Sequence, residues 1–323
     1  NSYRPSEVAE WWALGERSWG QLSLHHPESL VSALHVERRQ GWPDQCRPAL
    51  RLLSDKAALL TTCPSYWRAP FLVLPPQQDG VHAQQQDNPD WWWQALRGSG
   101  VVMKPQRGHA GRAVIRFRWA DSKLQQQALF RRLPELAAVL TSDAPPKPQQ
   151  LLEHWRRLCD TNEVAVAAPY QIQSSVLPAT DPSVVVRVIT ERADAQKPVN
   201  VRLAWLEVPL GEGSVAFIST TGLVLPSPFD PLSANEQASL GVWQQLLQEG
   251  PISCVEACLE AAEALHALLP PIDWVAWDWI PAEHEPLLLE GNGGFGLLVP
   301  QLFKRLVSRP GDLRTKSLQL LKD

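Results

Sequence analysis

The 323-residue sequence is poor in methionine (one), tyrosine (three) and cysteine (five). Cys46, Cys63, Cys159, Cys254 and Cys258 are odd in number, scattered and free of any C-x-x-C pair. A disulfide framework is therefore excluded, and the thiols read as reduced cysteines of a cytoplasmic protein. Cys254 and Cys258, one helical turn apart, read as small apolar residues on a packed face. No apolar run reaches the ~18 residues needed to span a bilayer, so membrane insertion is not expected. The opening NSYRPSEVAEWW has neither the basic nor the apolar segment of a signal peptide. It also begins without Met, so the native start is expected to be missing or processed. Positive charge is not in excess either: 30 Lys+Arg against 34 Asp+Glu gives a net charge of −4. With no Lys/Arg cluster, nothing points to nucleic acid or a membrane surface as partner. There is no internal repeat, no H-E-x-x-H, no G-x-S-x-G and no Ser-His-Asp or Cys-His motif.

What is present is an ordinary globular composition, 44% hydrophobic and 20% charged, with 15 tryptophans. A chain of this size buries roughly 75% of its unfolded surface and needs no metal or disulfide to fold, and its length favours two domains or one domain with appended lobes. Residues 6–62 read as mostly helical: Leu50, Leu53, Ala57 and Leu60 recur at helix spacing. Phe71–Leu74 reads as a short strand and 75–90 as a polar Pro/Gln loop. Strand-like runs at 100–105 and 113–119 flank a glycine-bearing loop, and helix-like sequence fills 121–140 and 149–159. From 163 the texture turns β-rich, broken by a helix at 252–269. Two strands and a closing helix follow. Strands and helices mix without strict βαβ alternation, which points to α+β lobes built on antiparallel sheet.

The segment WVAWDWIPAEHEPLLLEGN (274–292) is the most informative. Paired as a hairpin centred on His284, it sets Asp278 opposite Glu290, and Asn292 shares the Glu290 face at i+2. Two facing carboxylates in an apolar setting repel and call for a cation between them. Oxygen-only ligands suit Mg²⁺ or Mn²⁺; the alternative is a hairpin whose acids face solvent. GNGGFG (291–296) matches G-x-G-x-x-G, but no parallel βαβ unit follows, which excludes a dinucleotide fold.

Phosphate-binding candidates come earlier. Lys104-Pro105 ends a strand, and the next loop carries Gly108 and Gly111 flanked by Arg107 and Arg112. Glycines let backbone amides approach a phosphate and the cations supply the field; the alternative is an exposed basic hairpin tip. Lys56, in Ser54-Asp55-Lys56, lies in helix-like sequence, where a solvated polar face is the plainer reading. Arg187 sits in a run of valines and wants an anion, either a buried carboxylate or a ligand phosphate.

In this order, Asp55-Lys56, Lys104-Pro105 with its glycine loop, the Arg187 strand and Asp278…Glu290-x-Asn292 resemble the ATP-grasp family. The similarity is greatest to the group found beside sugar-transfer and polysaccharide genes, and runs from about residue 50 to 303. The resemblance implies an α+β ATP-grasp fold: a helical portion at 1–55 and two lobes, 56–168 and 169–323, clasping nucleotide. Lys56 and Lys104 would contact the ATP phosphates under the loop of Gly108 and Gly111. Ala168, Pro169 and Tyr170, with Ala167, match the hinge that hydrogen-bonds adenine. Asp278, Glu290 and Asn292 would hold Mg²⁺, and Arg187 would steady the transferred phosphoryl group or the acyl phosphate. The implied activity is an ATP-dependent ligase that activates a carboxylate as an acyl phosphate for an amine or related nucleophile, in saccharide or peptide-like metabolism. A kinase acting on a hydroxyl, or a lapsed nucleotide-binding module, are the alternatives. The chain departs from the family in its sparse glycine loop, in a hinge without an acidic residue and in the stretch 217–226.

Overall fold

The computed structural model describes residues 44–75, 90–107, 113–129, 144–170, 184–192, 196–211, 214–219, 224–225, 233–248, 253–281 and 285–293. These fall into two compact units, one from Leu52 to Ser183, the other Asn1–Arg51 with Val184–Asp323. Each is an antiparallel sheet backed by helices, which makes the chain α+β as expected. No helix among the described residues is long and apolar enough to cross a membrane.

The helical region expected before residue 62 is two helices, α1 (Arg47–Ser54) and α2 (Lys56–Thr62), not one. The break is Asp55, whose extended backbone lets its carboxylate accept the Ala58 N–H at 3.1 Å. An aspartate gains more as an N-cap than inside a helix, so the apolar periodicity runs on across a break. The rest of the earlier helical expectation, residues 6–43, lies outside the described residues, as do the 76–89 portion of the polar loop and the closing helix.

In the 52–183 unit, β1 (Leu72–Leu74), β2 (Val101–Pro105), β3 (Ile115–Ala120), β4 (Lys123–Ala128) and β5 (Ala165–Pro169) form a sheet ordered β1-β5-β2-β3-β4. Helices α3 (Asp90–Arg97) and α4 (Pro148–Cys159) supply Trp92, Leu96, Leu151, Leu152 and Trp155 to a core with Met103, Ile115, Phe117 and Leu124. The two buried indoles are satisfied: Trp92 Nε1 donates to Pro146 O (3.2 Å) and Trp155 Nε1 to Ala113 O (2.8 Å).

Strand β4 corrects the expectation of a helix over 121–140. Asp121 and Ser122 both take positive φ (53° and 57°), the geometry of a two-residue hairpin turn, and Leu124 pairs with Trp119 and enters the core. The Gln-rich composition of this stretch has little preference of its own, so cross-strand pairing decides it. Residues 130–143 lie outside the described set.

In the other unit, β6 (Val185–Glu191), β7 (Asn200–Gly211), β8 (Ser214–Ser219), β9 (Val224–Leu225), β10 (Trp274–Ile280) and β11 (Leu287–Asn292) are ordered β11-β10-β6-β7-β8-β9. Every residue of β10 is buried. Helix α6 (Ser253–Leu268) packs on β6, β7 and β10, and α5 (Ala234–Gln248) on β7 and β8. The sequence reading overlooked α5, although its start carries a capping box: Ser233 N–H donates to Glu236 Oε2 (2.8 Å) and Glu236 N–H to Ser233 Oγ (3.3 Å).

Two buried groups lock α6 to the sheet. Arg192 donates to the carbonyls of Leu269 (3.3 Å) and Pro270 (2.8 Å), satisfying oxygens at the end of the helix. His266, fully buried, bonds through Nε2 to Ile272 O (2.9 Å) and through Nδ1 to Thr190 Oγ1 (2.7 Å). Because a carbonyl only accepts, the proton sits on Nε2. The Trp277 indole donates in turn to Thr190 Oγ1 at 2.9 Å. Burial pushes the imidazole pKa down to about 4, so the ring is neutral.

Candidate functional site

The hairpin of β10 and β11 has the expected register at its centre: Asp278 lies opposite Glu290, and Ala276 opposite Asn292. A bulge after Asp278 shifts the pairing nearer the turn by one residue, to Trp279 with Leu288. On its other side Asp278 faces Arg187 of β6. Glu290, Asp278 and Arg187 thus form a row across three strands.

The cation called for by the facing acids is Arg187. Its Nε and NH2 meet Asp278 Oδ1 and Oδ2 at 2.5 and 2.6 Å, a two-pronged pairing. Its NH1 stands 3.6 Å from Glu207 Oε1, and its guanidinium lies 6.0 Å from the Trp205 ring centre. Trp205 donates its indole N–H to the same Glu207 at 3.3 Å. Of the two readings of Arg187, the described residues show the buried carboxylate. Glu207 was not singled out from sequence; an acid two residues from Trp205, inside the apolar run LAWLEVPL, is the signal that marks it.

Burial pushes the Asp278 carboxyl upward; Arg187 opposes this, while Glu290 and Glu207 add to it. Burial disfavours the Arg187 charge too, but Asp278, Glu207 and Glu290 hold the guanidinium protonated. Three acidic side chains thus surround one guanidinium, and the most buried of them, Asp278, is the one whose charge burial opposes. Asp278 is only 6% exposed, whereas Arg187 and Glu207 are 27% and 24% exposed, so solvent reaches the rim of the row and not its centre. At the edge strand, Asn292 Nδ2 donates to Glu290 Oε1 (3.3 Å), which leaves the Asn292 amide oxygen as its donor towards any cation. Among the described residues no three His, Cys, Asp or Glu side chains gather into a metal site by themselves. The fit is to a hard divalent ion that takes Glu290, the Asn292 oxygen and oxygens of a ligand, beside a row in which acids outnumber cations.

The remaining expected residues belong to the 52–183 unit. Lys56 opens α2, is buried, and its backbone N–H donates to Gln106 O at 3.0 Å. Asp55 binds the same segment: Gln106 Nε2 reaches both its oxygens at 2.8 Å, and Arg107 stands 3.4 Å away. Burial works against its charge, but these hydrogen bonds, with the one from Ala58, hold the Asp55 carboxyl below the usual range. Lys104 lies on β2 opposite Val166 of β5. Gly108 and Gly111 lie outside the described residues. Ala168 and Pro169 pair with Val102 and Val101, and the Tyr170 N–H donates to Gly100 O (2.8 Å). Arg116 lies over the Tyr170 ring, 4.2 Å from its centre.

No family model matches the sequence, and no curated protein matches it. Solved structures do. Similar to this chain is D-alanine–D-alanine ligase from Bacillus anthracis complexed with ATP (11% identity, 79% of this chain, 65% of that chain, TM-score 0.41). Carboxyaminoimidazole ribonucleotide synthase from Aspergillus clavatus complexed with ATP matches at 10% identity, over 75% of this chain and 45% of that one, with TM-score 0.40. D-Ala-D-Ala ligase from Helicobacter pylori matches at 12%, over 81% and 60%, with TM-score 0.39. The chain spans 65% or less of the length of these proteins, and at such scores they assign it neither a residue role nor an activity. The architecture itself, two antiparallel sheets each backed by helices, is of the α+β class expected from the sequence.

Proposed function

We propose that this chain is an ATP-dependent ligase of the ATP-grasp family, joining a carboxylate to an amine or related nucleophile. The observation that carries the reading is the Glu290–Asp278–Arg187 row with Asn292 beside it: an acid-rich set of oxygen donors, buried at its centre, holding a guanidinium in place. Arg187 answers Asp278, and the acids beyond that pair, Glu290 above all, are what a bound cation would meet.

In this reading Glu290 and Asn292, with Asp278 behind them, hold Mg²⁺ (Mn²⁺ would also serve), which when bound neutralises phosphate charge. Lys56 and Lys104 contact the phosphates of ATP beneath the loop of Gly108 and Gly111, and the Ala168–Tyr170 segment takes the adenine. Arg187 steadies the transferred phosphoryl group, its head kept from swinging by Asp278 and Glu207. A carboxylate oxygen of the substrate forms a bond to the γ-phosphorus as the bond to the β–γ bridging oxygen breaks and ADP leaves. The amine then attacks the acyl carbon and expels inorganic phosphate. Positioning and charge neutralisation supply the catalysis, and no protein nucleophile is needed. The protein works in the cytoplasm, on saccharide-linked or peptide-like metabolites.

The test is thermal unfolding with Mg²⁺ plus a non-hydrolysable ATP analogue, and with each alone, for the wild type and Glu290→Ala. A ligand at about 100 times its Kd adds roughly 2.7 kcal/mol, a shift of several degrees. We expect a shift that requires Mg²⁺ and is absent in Glu290→Ala, followed by ADP and phosphate release when carboxylates and amines are screened. An equal shift in Glu290→Ala refutes the metal assignment, and ADP release with a stable phosphoester replaces the ligase by a kinase.

A further inference from the structure

The sheet of the 52–183 unit carries its charge on one side only. Strands β1 to β5 contain four cations, Lys104, Arg116, Arg118 and Lys123, and no Asp or Glu. Val101, Met103, Ile115, Phe117 and Leu124 fill the core face. The register puts Val102 opposite Arg116, Arg116 opposite Gln127, Arg118 opposite Gln125 and Ala120 opposite Lys123. Since side chains alternate along a strand, all four cations stand on the face away from the core. Acid-free faces with several cations are not needed for folding, because like charges on neighbouring strands destabilise a sheet.

On this face lies a recess of about 270 Å³ lined by Arg116, Arg118, Gln125, Gln126 and Gln127. Its floor is rigid. Arg116, only 7% exposed, donates from Nε to Ser99 O (2.8 Å) and from NH1 to Gln127 Oε1 (3.2 Å), and it rests over Tyr170. The close approach needs Gly100, whose φ of +108° and crowding against Phe117 O and Arg116 admit no Cβ. With its Oε1 engaged, Gln127 presents its amide N–H₂ as a donor. Arg118, exposed and making no ion pair with a described residue, completes the set.

We infer that this recess binds an oxyanion, a phosphate or carboxylate group of a small ligand, with Arg118 and the amides of Gln125 and Gln127 as direct donors and Arg116 as a fixed positive charge behind them. A planar guanidinium matches either group with two parallel hydrogen bonds, and the amides add neutral donors of the right reach. The volume is at or below the lower end of small-molecule pockets, so it suits the anionic end of a ligand and not a whole nucleotide. Lys104 and Tyr170 adjoin this face, but none of the side chains lining the recess is assigned to nucleotide, so the two readings can fail separately.

The test is thermal unfolding of the full chain without Mg²⁺ in sodium phosphate, pyrophosphate or succinate, each against sodium chloride of equal ionic strength. Wild type, Arg118→Gln and Lys123→Gln are compared; the last removes the same charge from the same face outside the recess. The expected result is a saturable rise of several degrees with at least one anion, lost in Arg118→Gln and kept in Lys123→Gln. The wild type and both variants should melt alike in chloride, because Arg118 and Lys123 are exposed. A response to phosphate or pyrophosphate alone assigns a phosphoryl ligand, and one to succinate alone assigns a carboxylate. No rise beyond chloride, an equal rise in Arg118→Gln, or equal loss in both variants overturns the site. Glu290→Ala separates the two readings: it keeps the oxyanion response while losing the Mg²⁺-dependent nucleotide response.

Discussion

Acidification should weaken the unit that holds His266 by an amount the structure lets one work out. The ring is enclosed beneath α6, its Nε2–H spent on Ile272 O and its Nδ1 accepting from Thr190. Burial is the main cause of its low pKa; the hydrogen bond to Ile272 opposes this, and the Arg192 charge nearby lowers it further. A proton on Nδ1 would face the Thr190 hydroxyl, which already takes the Trp277 N–H. The folded pKa is about 4 against 6.5 for a free histidine, so between these values the unfolded chain binds the proton and the folded chain does not. Stability contributed by neutral His266 is therefore full above pH 6.5, falls as the pH drops towards 4 and is gone below it. The span is worth about 3 kcal/mol. Urea unfolding followed by tryptophan emission, at half-unit steps from pH 7.5 to 4.5, measures it. His266→Met, which does not titrate, serves as reference: its stability should fall less over that range, and the difference is the histidine part. Parallel pH profiles for the two proteins would refute the reasoning.

Three further outcomes follow from packing. Arg187→Met leaves Asp278 enclosed between Glu290 and the Glu207 side, and should cost about 3–5 kcal/mol in urea unfolding; adding Asp278→Asn should recover much of it. A loss below 1 kcal/mol would show that the pair is not held as described. Gly100→Ala should lower the melting temperature by several degrees, because a Cβ there meets Phe117 O at 2.8 Å. Gly241→Ala, inside α5 with nothing within 4 Å of the added carbon, should raise stability by ~0.5–1 kcal/mol.

Legibility differed from place to place for physical reasons. The β10–β11 hairpin could be read because local pairing follows from strand alternation, and the facing of Asp278 and Glu290 needed only the loop centre. Strands β2, β3, β5, β6 and β7 were legible from β-branched and apolar runs. Strand β4 was not, because KLQQQA has no apolar run and its form is dictated by the turn before it and the core behind it. Helix α5 left only its capping box as a trace. The partner of Arg187 was beyond any local pattern, since the register that brings β6 beside β10 joins residues 91 apart in sequence. Asp55 shows the reverse case, a periodic helix signal cut by one side chain with a better use.

That long span bears on when the candidate site comes into being. Strands β3 and β4 meet across a two-residue turn, a closure that takes microseconds and fixes the cationic face early. The acidic row has no such start. Arg187 emerges from the ribosome well before Asp278 and Glu290, and β6 must wait for β10 while the intervening chain finds its place. Non-local strand pairing of this kind is slow and comes late in folding. The row that would bind nucleotide is thus among the last features to assemble, and a chain cut short before Trp274 carries Arg187 with Glu207 but without Asp278 and Glu290.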